Sequence, residues 1–382
     1  MEKSKVNVTH IITGLGDGGA ESSLYQLIVA TENEATHTVI SLTDLGKYGP
    51  KLSERGVSVE TLGFRAGSVS AKGIVKLWKL LRTNSSDLVQ TWMYHADLIG
   101  GIIARISTNA PIVWGLHNLY VDQNARITRL VVRTNSLLSY CIPNLIISAS
   151  KAAADHHKKI GYKNIFKIIP NGYDINTFNI KPDLDNRLAL ELFSDTKPAF
   201  VIGCVARWDP LKDHENLLTA FAEFIRSEHS INSQLILAGT NCDVENALLQ
   251  KLISDLGLND HVITLGRRND IPELMNIFDL TVLSSKSEAF PNVLAESMLC
   301  GTPCISTDVG DAKLIVSNFG WIVPSENPHA LSKALSSAYD TLGPPSDKEL
   351  KAHLCREHII DNFSSTRIAR QYLDAWQTSR RQ

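Results

Sequence analysis

The sequence predicts an α/β protein with two Rossmann-like domains, each built on a doubly wound parallel sheet. Three observations predict it. The chain has 382 residues, more than one ordinary compact domain holds and enough for two. A composition of 43% hydrophobic and 20% charged residues is that of a soluble globular protein with full cores. Strand-length apolar runs alternate with stretches of helical period twice over. The runs are rich in β-branched residues and apolar on both faces, as parallel strands covered by helices require.

Taken in order, the first half offers strands in "VNVTHIIT", "HTVISL", "VSVETLG", "DLVQTW", "PIVWGLH", "NLIISAS" and "FKIIPNG", with helical patterns over 20–30, 70–83 and 96–107 among the segments between them. The second half offers "AFVIGCVA", "QLILAG", "HVITLG", "LTVLSS", "PCISTDV" and "GWIVP", with helices near 214–227, 244–256, 271–277, 292–300, 311–317 and 327–340. Between the halves, "NGYDINTFNIKPDLDNRLALELFSDTKP" is rich in turn formers and reads as a linker. The expected domains are therefore residues 1–180 and 195–363. Ligands of such sheets bind beyond the carboxyl ends of the strands, which places the expected ligand in a cleft faced by both domains.

Several classes of function are set aside. No apolar run reaches the ~18 residues needed to cross a bilayer, and the start runs directly into a strand, so no secretory segment is expected. The six cysteines are scattered. Cys300 and Cys304 form a C-x3-C with no second ligand pair, which reads as reduced core thiols in a cytoplasmic protein. "PDLDN" contains a D-x-D, but in a polar linker, so no metal is assigned to it. Residues 1–180 carry 19 Lys and Arg against 13 Asp and Glu; the remainder carries 19 against 27. A basic first half suits an anionic partner such as a phospholipid surface, and ordinary surface scatter explains it equally.

The glycines come first among the motifs. Gly14, Gly16 and Gly19 follow a strand and precede a helix with the spacing of a dinucleotide-binding loop, where glycine permits a positive φ and close backbone approach. Asp44, 25 residues past Gly19, matches the expected ribose carboxylate only loosely. In "CVARWDPLKDHENLLTAF", Arg207 ends a strand and Lys212 precedes a helix; a planar fork and a point charge five residues apart can converge on one diphosphate. In "SSKSEAFPNVLAESMLCGTP" a loop carrying Glu288 leads to a helix opened by Pro291 as its first residue. The amides of Asn292 and Val293 lie at the positive end of that helix's dipole. Asn292 and Glu296 share a face, so the two glutamates can take hydroxyls on either side of a phosphate group, the layout of a nucleotide sugar.

These stretches together resemble the GT-B glycosyltransferases, in particular the retaining group called family four. The residues that carry the resemblance are "GLGDGGAE", "SASKAAADHHKKIGYKNIFKIIPNGYDINTF", Arg207 with Lys212, "GRRNDIPELM" and "SEAFPNVLAESMLCGTPCISTDVG". "QTWMYHADLIGG" and "VWGLHNLY" are similar to the versions in bacterial surface-polysaccharide transferases. The resemblance implies that Arg207 and Lys212 bind the donor diphosphate and stabilise its departing charge without a metal. It implies that Glu296 holds the ribose, Glu288 the transferred sugar, and the amides of Phe290, Asn292 and Val293 the phosphates. Gly266, Arg267 and Asp270 would lie against the base, and Gly16, Gly18 and Gly19 would approach the phosphates from the other domain. His117 resembles a histidine placed near the reacting sugar, with His95 as second choice. The last helix, over 364–380, would pack back on the first domain. Ala289 stands where the family has glycine, and Trp208-Asp209 replaces a more aliphatic turn; both leave the donor open.

Lys72, Lys76, Lys79 and Arg82 recur at helical spacing, and Arg126, Arg129 and Arg133 sit among Leu130, Val131, Val132 and Leu137. Either a solvated face or contact with the inner face of an anionic membrane accounts for both rows. The resulting expectation is a retaining, metal-independent enzyme with no cofactor. It moves a hexose or N-acetylhexosamine from a nucleoside diphosphate sugar, a UDP-sugar in the first instance, to a bacterial surface glycan or lipid-linked precursor. The alternatives are an NAD-dependent oxidoreductase using Gly14–Gly19 and a non-catalytic nucleotide-binding relative.

Overall fold

The computed structural model describes residues 5–65, 68–119, 125–163, 165–181, 186–193, 198–227, 232–342 and 345–381. It divides into two compact units: Met1–Tyr173 with Phe363–Gln382, and Asp174–Asn362. Residues 174–180, read from sequence as the end of the first domain, thus belong to the second unit.

The first unit runs β1 (Val6–Ile12), α1 (Gly19–Thr31), β2 (Ala35–Ser41), α2 (Tyr48–Glu54), β3 (Ser58–Thr61), α3 (Ala71–Thr83), β4 (Leu88–Trp92), α4 (Tyr94–Ser107), β5 (Ile112–Leu116), α5 (Arg126–Leu138), β6 (Leu145–Ser148), α6 (Lys151–Lys159) and β7 (Phe166–Ile168). The strands form one parallel sheet in the order β3-β2-β1-β4-β5-β6-β7. Its strands are buried from both sides because helices cover both faces. Val8 and Ile12 of β1 join one core with Leu24 and Ile28 of α1, whereas Ile11 joins another with Leu77 of α3 and Ile103 of α4.

The second unit runs α7 (Asn186–Phe193), β8 (Phe200–Val205), a 3-10 turn (Pro210–Lys212), α8 (His214–Ile225), β9 (Ser233–Ala238), α9 (Ala247–Asp255), β10 (Val262–Gly266), α10 (Ile271–Ile277), β11 (Leu280–Leu283), α11 (Asn292–Leu299), β12 (Cys304–Thr307), α12 (Ala312–Val316), β13 (Trp321–Val323), α13 (Pro328–Leu342) and α14 (Pro345–Phe363). Its parallel sheet has the order β10-β9-β8-β11-β12-β13. The final helix, α15 (Ser365–Arg380), belongs to the first unit. There Ile368, Tyr372 and Trp376 enter the α1 core, and the Trp376 indole donates to Gln90 Oε1 at 2.7 Å.

Both sheets are doubly wound, as the strand pattern requires, and each strand-like run contains a strand. The stretch read as a linker differs: "NRLALELF" forms α7, whose Leu188, Leu192 and Phe193 pack on the second unit's core. The D-x-D of "PDLDN" lies outside the described residues. Within the second unit, Arg356 of α14 donates to the carbonyls of Ile175 (2.8 Å), Phe178 (2.8 Å) and Leu299 (2.5 Å). One guanidinium thereby ties the start of the unit to the end of α11.

Candidate active site at the switch point of the second sheet

In the second unit the strand order runs outward in opposite directions from β8 and β11, which are hydrogen-bonded neighbours. The loops leaving their carboxyl ends therefore diverge, and a crevice opens at that point of a doubly wound sheet. Arg207 and Lys212 follow β8, and Glu288 follows β11. The two loops are laced together. Lys286 donates its amide to Leu211 O at 2.8 Å, and Ser284 Oγ donates to Lys212 O at 2.8 Å.

The laced loops bring the expected cation and carboxylate into contact. Lys212 Nζ lies 2.5 Å from Glu288 Oε1, with both side chains largely buried, and Ser285 Oγ donates to the same oxygen at 2.8 Å. Arg207 is oriented by a residue that sequence reasoning passed over. Its Nε donates to Asp209 Oδ2 at 3.1 Å, while Asp209 Oδ1 accepts from the Leu211 amide at 2.9 Å and caps the 3-10 turn. Burial pushes the Asp209 carboxyl up. The Leu211 amide, the Arg207 guanidinium and the Lys212 charge outweigh it and hold the group below its ordinary value. Both cations thus act on one carboxylate. "WDPLK" carries a signal for this role, an acidic residue directly before a proline that opens a turn.

Glu288 is seated by a glycine further along. Gly310 has φ +53°, and a Cβ there would meet Glu288 O and Ala289 O at 2.4 Å; the adjacent Asp311 amide donates to Ala289 O at 3.1 Å. Gly239 plays the same part for the Arg207 loop, since a Cβ would fall 2.2 Å from Ala206 O. Ala289 and Phe290 are buried, and Asn292, Val293 and Glu296 are half-buried on the first turns of α11. Pro291 is the residue before the helix rather than its first residue: at φ −76° and ψ 99° it is extended. Gly266 ends β10 with φ +63° and accepts the Gly239 amide at 2.7 Å, which joins its loop to the Arg207 side. Arg267 is exposed. Asp270 is gripped by Arg268 at 2.9 and 2.6 Å, which lowers its pKa.

The remaining residues lie in the first unit, again around a switch point, here between β1 and β4. None of Gly14, Gly16, Gly18 or Gly19 has a positive φ, contrary to the turn expected of them. Gly18 is extended (φ −137°). Open space surrounds the position a Gly16 Cβ would take, whereas one at Gly14 would meet Thr43 Oγ1 at 2.9 Å, so the loop's unobstructed backbone is at Gly16. The left-handed residue is Gly46, which packs on Leu15 O from the neighbouring loop. Asp44 is exposed three residues beyond β2.

His117, just past β5, stacks on Trp92 with ring centroids 5.0 Å apart, and Asn171 hydrogen-bonds it. Burial, opposed by that bond, pushes its pKa down to about 4, so the ring is neutral at pH 7. His95 is half-buried with a lowered pKa. Among the described residues, no three His, Cys, Asp or Glu side chains gather as a metal-binding group, and no helix is long and apolar enough to cross a membrane.

Comparison with known proteins agrees with both units. The family model described as "Glycosyltransferase Family 4" matches residues 17–177, and "Glycosyl transferases group 1" matches residues 192–350. A UDP-Gal:α-D-GlcNAc-diphosphoundecaprenol α-1,3-galactosyltransferase of Escherichia coli is 24% identical over 77% of this chain and 76% of its own. An N,N'-diacetylbacillosaminyl-diphospho-undecaprenol α-1,3-N-acetylgalactosaminyltransferase of Campylobacter jejuni is 24% identical over 93% of this chain and 95% of its own. The crystal structure of Anabaena HepE in complex with UDP matches with a TM-score of 0.83 at 23% identity, over 98% of this chain and 100% of that one.

Proposed function

Because the chain belongs to the glycosyltransferases of group 1 and family 4, with the two α/β domains of the GT-B class, we propose that it transfers a hexose or N-acetylhexosamine from a UDP-sugar. The acceptor is a growing bacterial surface glycan or a lipid-linked oligosaccharide, configuration is retained, and no metal takes part. The observation that carries this reading is the Lys212–Glu288 contact beside Arg207 at the mouth of the β8 and β11 loops. The two relatives named above, each a transferase for a diphospho-undecaprenol acceptor, support the acceptor class.

The chemistry follows from the groups present. Cleavage of the donor's glycosidic bond leaves its electron pair on the diphosphate. Lys212 supplies a point charge, and Arg207, held through Nε by Asp209, turns its remaining N–H groups to the phosphate oxygens. These cations stabilise charge that grows only as the bond breaks, so they act on the transition state more than on the bound donor. Glu288 spends Oε1 on Lys212 and Ser285, which leaves Oε2 for hydroxyls of the transferred sugar. Glu296 takes the ribose hydroxyls, and the amides of Phe290, Asn292 and Val293 take the phosphates. Gly266, Arg267 and Asp270 border the base. In the first unit, the backbone at Gly16 is open and neutral His117 can both donate hydrogen bonds to hydroxyls and accept them. No carboxylate serves as nucleophile. The departing phosphate accepts the acceptor's proton as its oxygen attacks from the same face, which retains configuration.

A panel of sugar nucleotides incubated with the protein and read by mass spectrometry tests the reading, together with thermal melts in UDP, GDP, ADP and NAD. UDP at a hundredfold excess over its Kd is expected to add about 2.7 kcal/mol, roughly 5–10 °C. Arg207→Ala and Glu296→Ala should abolish that shift, and Lys212→Met should slow donor turnover by about 100-fold or more. Stabilisation by NAD that survives both alanine substitutions would overturn the proposal, as would the absence of turnover of any sugar nucleotide.

A further inference from the structure

In the first unit, α3, α4 and α5 pack side by side on the sheet face opposite α1 and α15. Their outer surface has a composition no solvated face needs. Among their residues the sole carboxylate is Asp97, and it is fully buried. Exposed cations instead stud all three helices: Lys72, Lys79 and Arg82 on α3, Arg105 on α4, and Arg126, Arg129 and Arg133 on α5. Lys76, also on α3, is held by Glu60 of β3 at 2.7 Å.

Between the cations stand large apolar side chains that the fold leaves uncovered. Ile106 of α4 is 68% exposed, Leu130 of α5 66% and Leu137 of α5 75%. Val75 and Trp78 of α3 and Ile127 of α5 continue the surface, and the Arg82 guanidinium lies over the Trp78 ring at 5.0 Å. A helix row with cations and uncovered Leu, Ile and Trp on one side is the pattern of a surface that rests in the headgroup and acyl boundary of a bilayer.

We propose that the outer face of α3, α4 and α5 docks on an anionic phospholipid bilayer. Charge complementarity selects this occupant. Lipid phosphates take the seven cations while the acyl boundary takes the apolar side chains between them. A second copy of the same face would set like charges opposite one another, and a nucleic acid would leave the aliphatic side chains unmatched. The proposal rests on the glycosyl-transfer reading only for its use, access to a lipid-linked acceptor; the adhesion is read from the surface itself.

Flotation of the full chain with vesicles tests it, using phosphatidylcholine alone and three parts phosphatidylcholine to one part phosphatidylglycerol. The protein should float with the anionic vesicles, remain behind with the neutral ones, and detach in about 1 M salt, where charges are screened over ~3 Å. Combined Arg126→Glu, Arg129→Glu and Arg133→Glu should weaken partitioning by about 100-fold, from roughly fivefold per cation removed. Leu130→Ser with Leu137→Ser should weaken it at constant charge. Lys313→Glu, an exposed cation of α12, should change nothing.

Melting temperature and UDP-induced stabilisation of each variant, measured without vesicles, establish that it is folded. Equal partitioning of wild type and variants, or equal binding to neutral and anionic vesicles, would overturn the proposal. So would concentration-dependent self-association that the serine pair abolishes while vesicle binding stays as it was. A chain that floats yet turns over no sugar nucleotide removes the transfer reading and leaves docking standing; a chain that turns over donor and never floats does the reverse.

Discussion

Gly310→Ala separates the seating of Glu288 from the general stability of the second unit. At φ +53° an alanine takes a left-handed conformation, which costs about 1–2 kcal/mol. Its Cβ would also stand 2.4 Å from Glu288 O and Ala289 O, where real contacts do not fall below 3.0 Å. The Glu288–Ala289 backbone must therefore retreat by roughly half an ångström or more, and the 3.1 Å bond from the Asp311 amide to Ala289 O stretches with it. That displacement pulls Glu288 Oε1 away from Lys212 Nζ, now 2.5 Å apart. A misplacement of ~1 Å costs about 100-fold in rate, so half of that predicts a loss of roughly tenfold or more in donor turnover. Melting should fall by only about 2–8 °C. Gly257→Ala supplies the control, because Gly257 has φ +72° and nothing within 4 Å of the added methyl. It carries the left-handed cost without the clash. UDP release from the turned-over donor, with parallel melts, reads both effects. Full turnover in Gly310→Ala, or an equal loss in Gly257→Ala, would refute the seating argument.

Two further outcomes are expected. Buried His157 and His214 and half-buried His37 and His117 make the fold acid-sensitive: desolvation pushes all four down to about 4, against about 6.5 in the unfolded chain. Between those values the unfolded state binds more protons, so stability is full above pH ~6.5 and is lost as pH falls toward 4, by up to about 1.4 kcal/mol per pH unit for each ring. Urea unfolding from pH 7.5 to 4.5 measures the slope, and a flat profile would contradict the burial. Arg356→Met should destabilise the second unit by about 2–4 kcal/mol, since three carbonyls lose a charged donor. Arg356→Lys should recover less than half in thermal melts, because lysine lacks the planar fork.

The sheets were legible because parallel strands covered on both faces write themselves as apolar runs, and all of the runs from "VNVTHIIT" to "GWIVP" contain a strand. The helices α7 and α14 were not. α7 has only eight residues, set in a stretch dense with turn formers that outweigh its leucines in the sequence pattern. Among the described residues, α14 places its buried apolar side chains Cys355, Ile359 and Phe363 in its second half alone, and its chief anchor is an arginine, a residue type that pattern reading assigns to solvent. The last residues before α11 show a finer limit. Proline is as well suited to the position before a helix as to the first turn, and only dihedral angles separate the two.

The candidate site divides along the same line between what a residue is and what holds it. Arg207, Lys212 and Glu288 announce themselves because they are charged groups in loops that follow strands, with chemistry specific to phosphates and hydroxyls. The groups that aim them do not. Ser285 under Glu288 and Gly310 behind it are ordinary loop residues until the β8 and β11 loops are joined by Lys286 to Leu211 O and Ser284 to Lys212 O. These partners lie 72 to 76 positions apart in the chain, and parallel pairing of β8 with β11 makes them neighbours. No local window of sequence contains that pairing. The glycine loop makes the converse point: its spacing matches a dinucleotide fingerprint, yet its glycines lack the left-handed turn, and open space surrounds Gly16 while Gly14 and Gly18 pack on Thr43 and Glu21. A motif therefore states which atoms are present, and the topology of the sheet decides what they face.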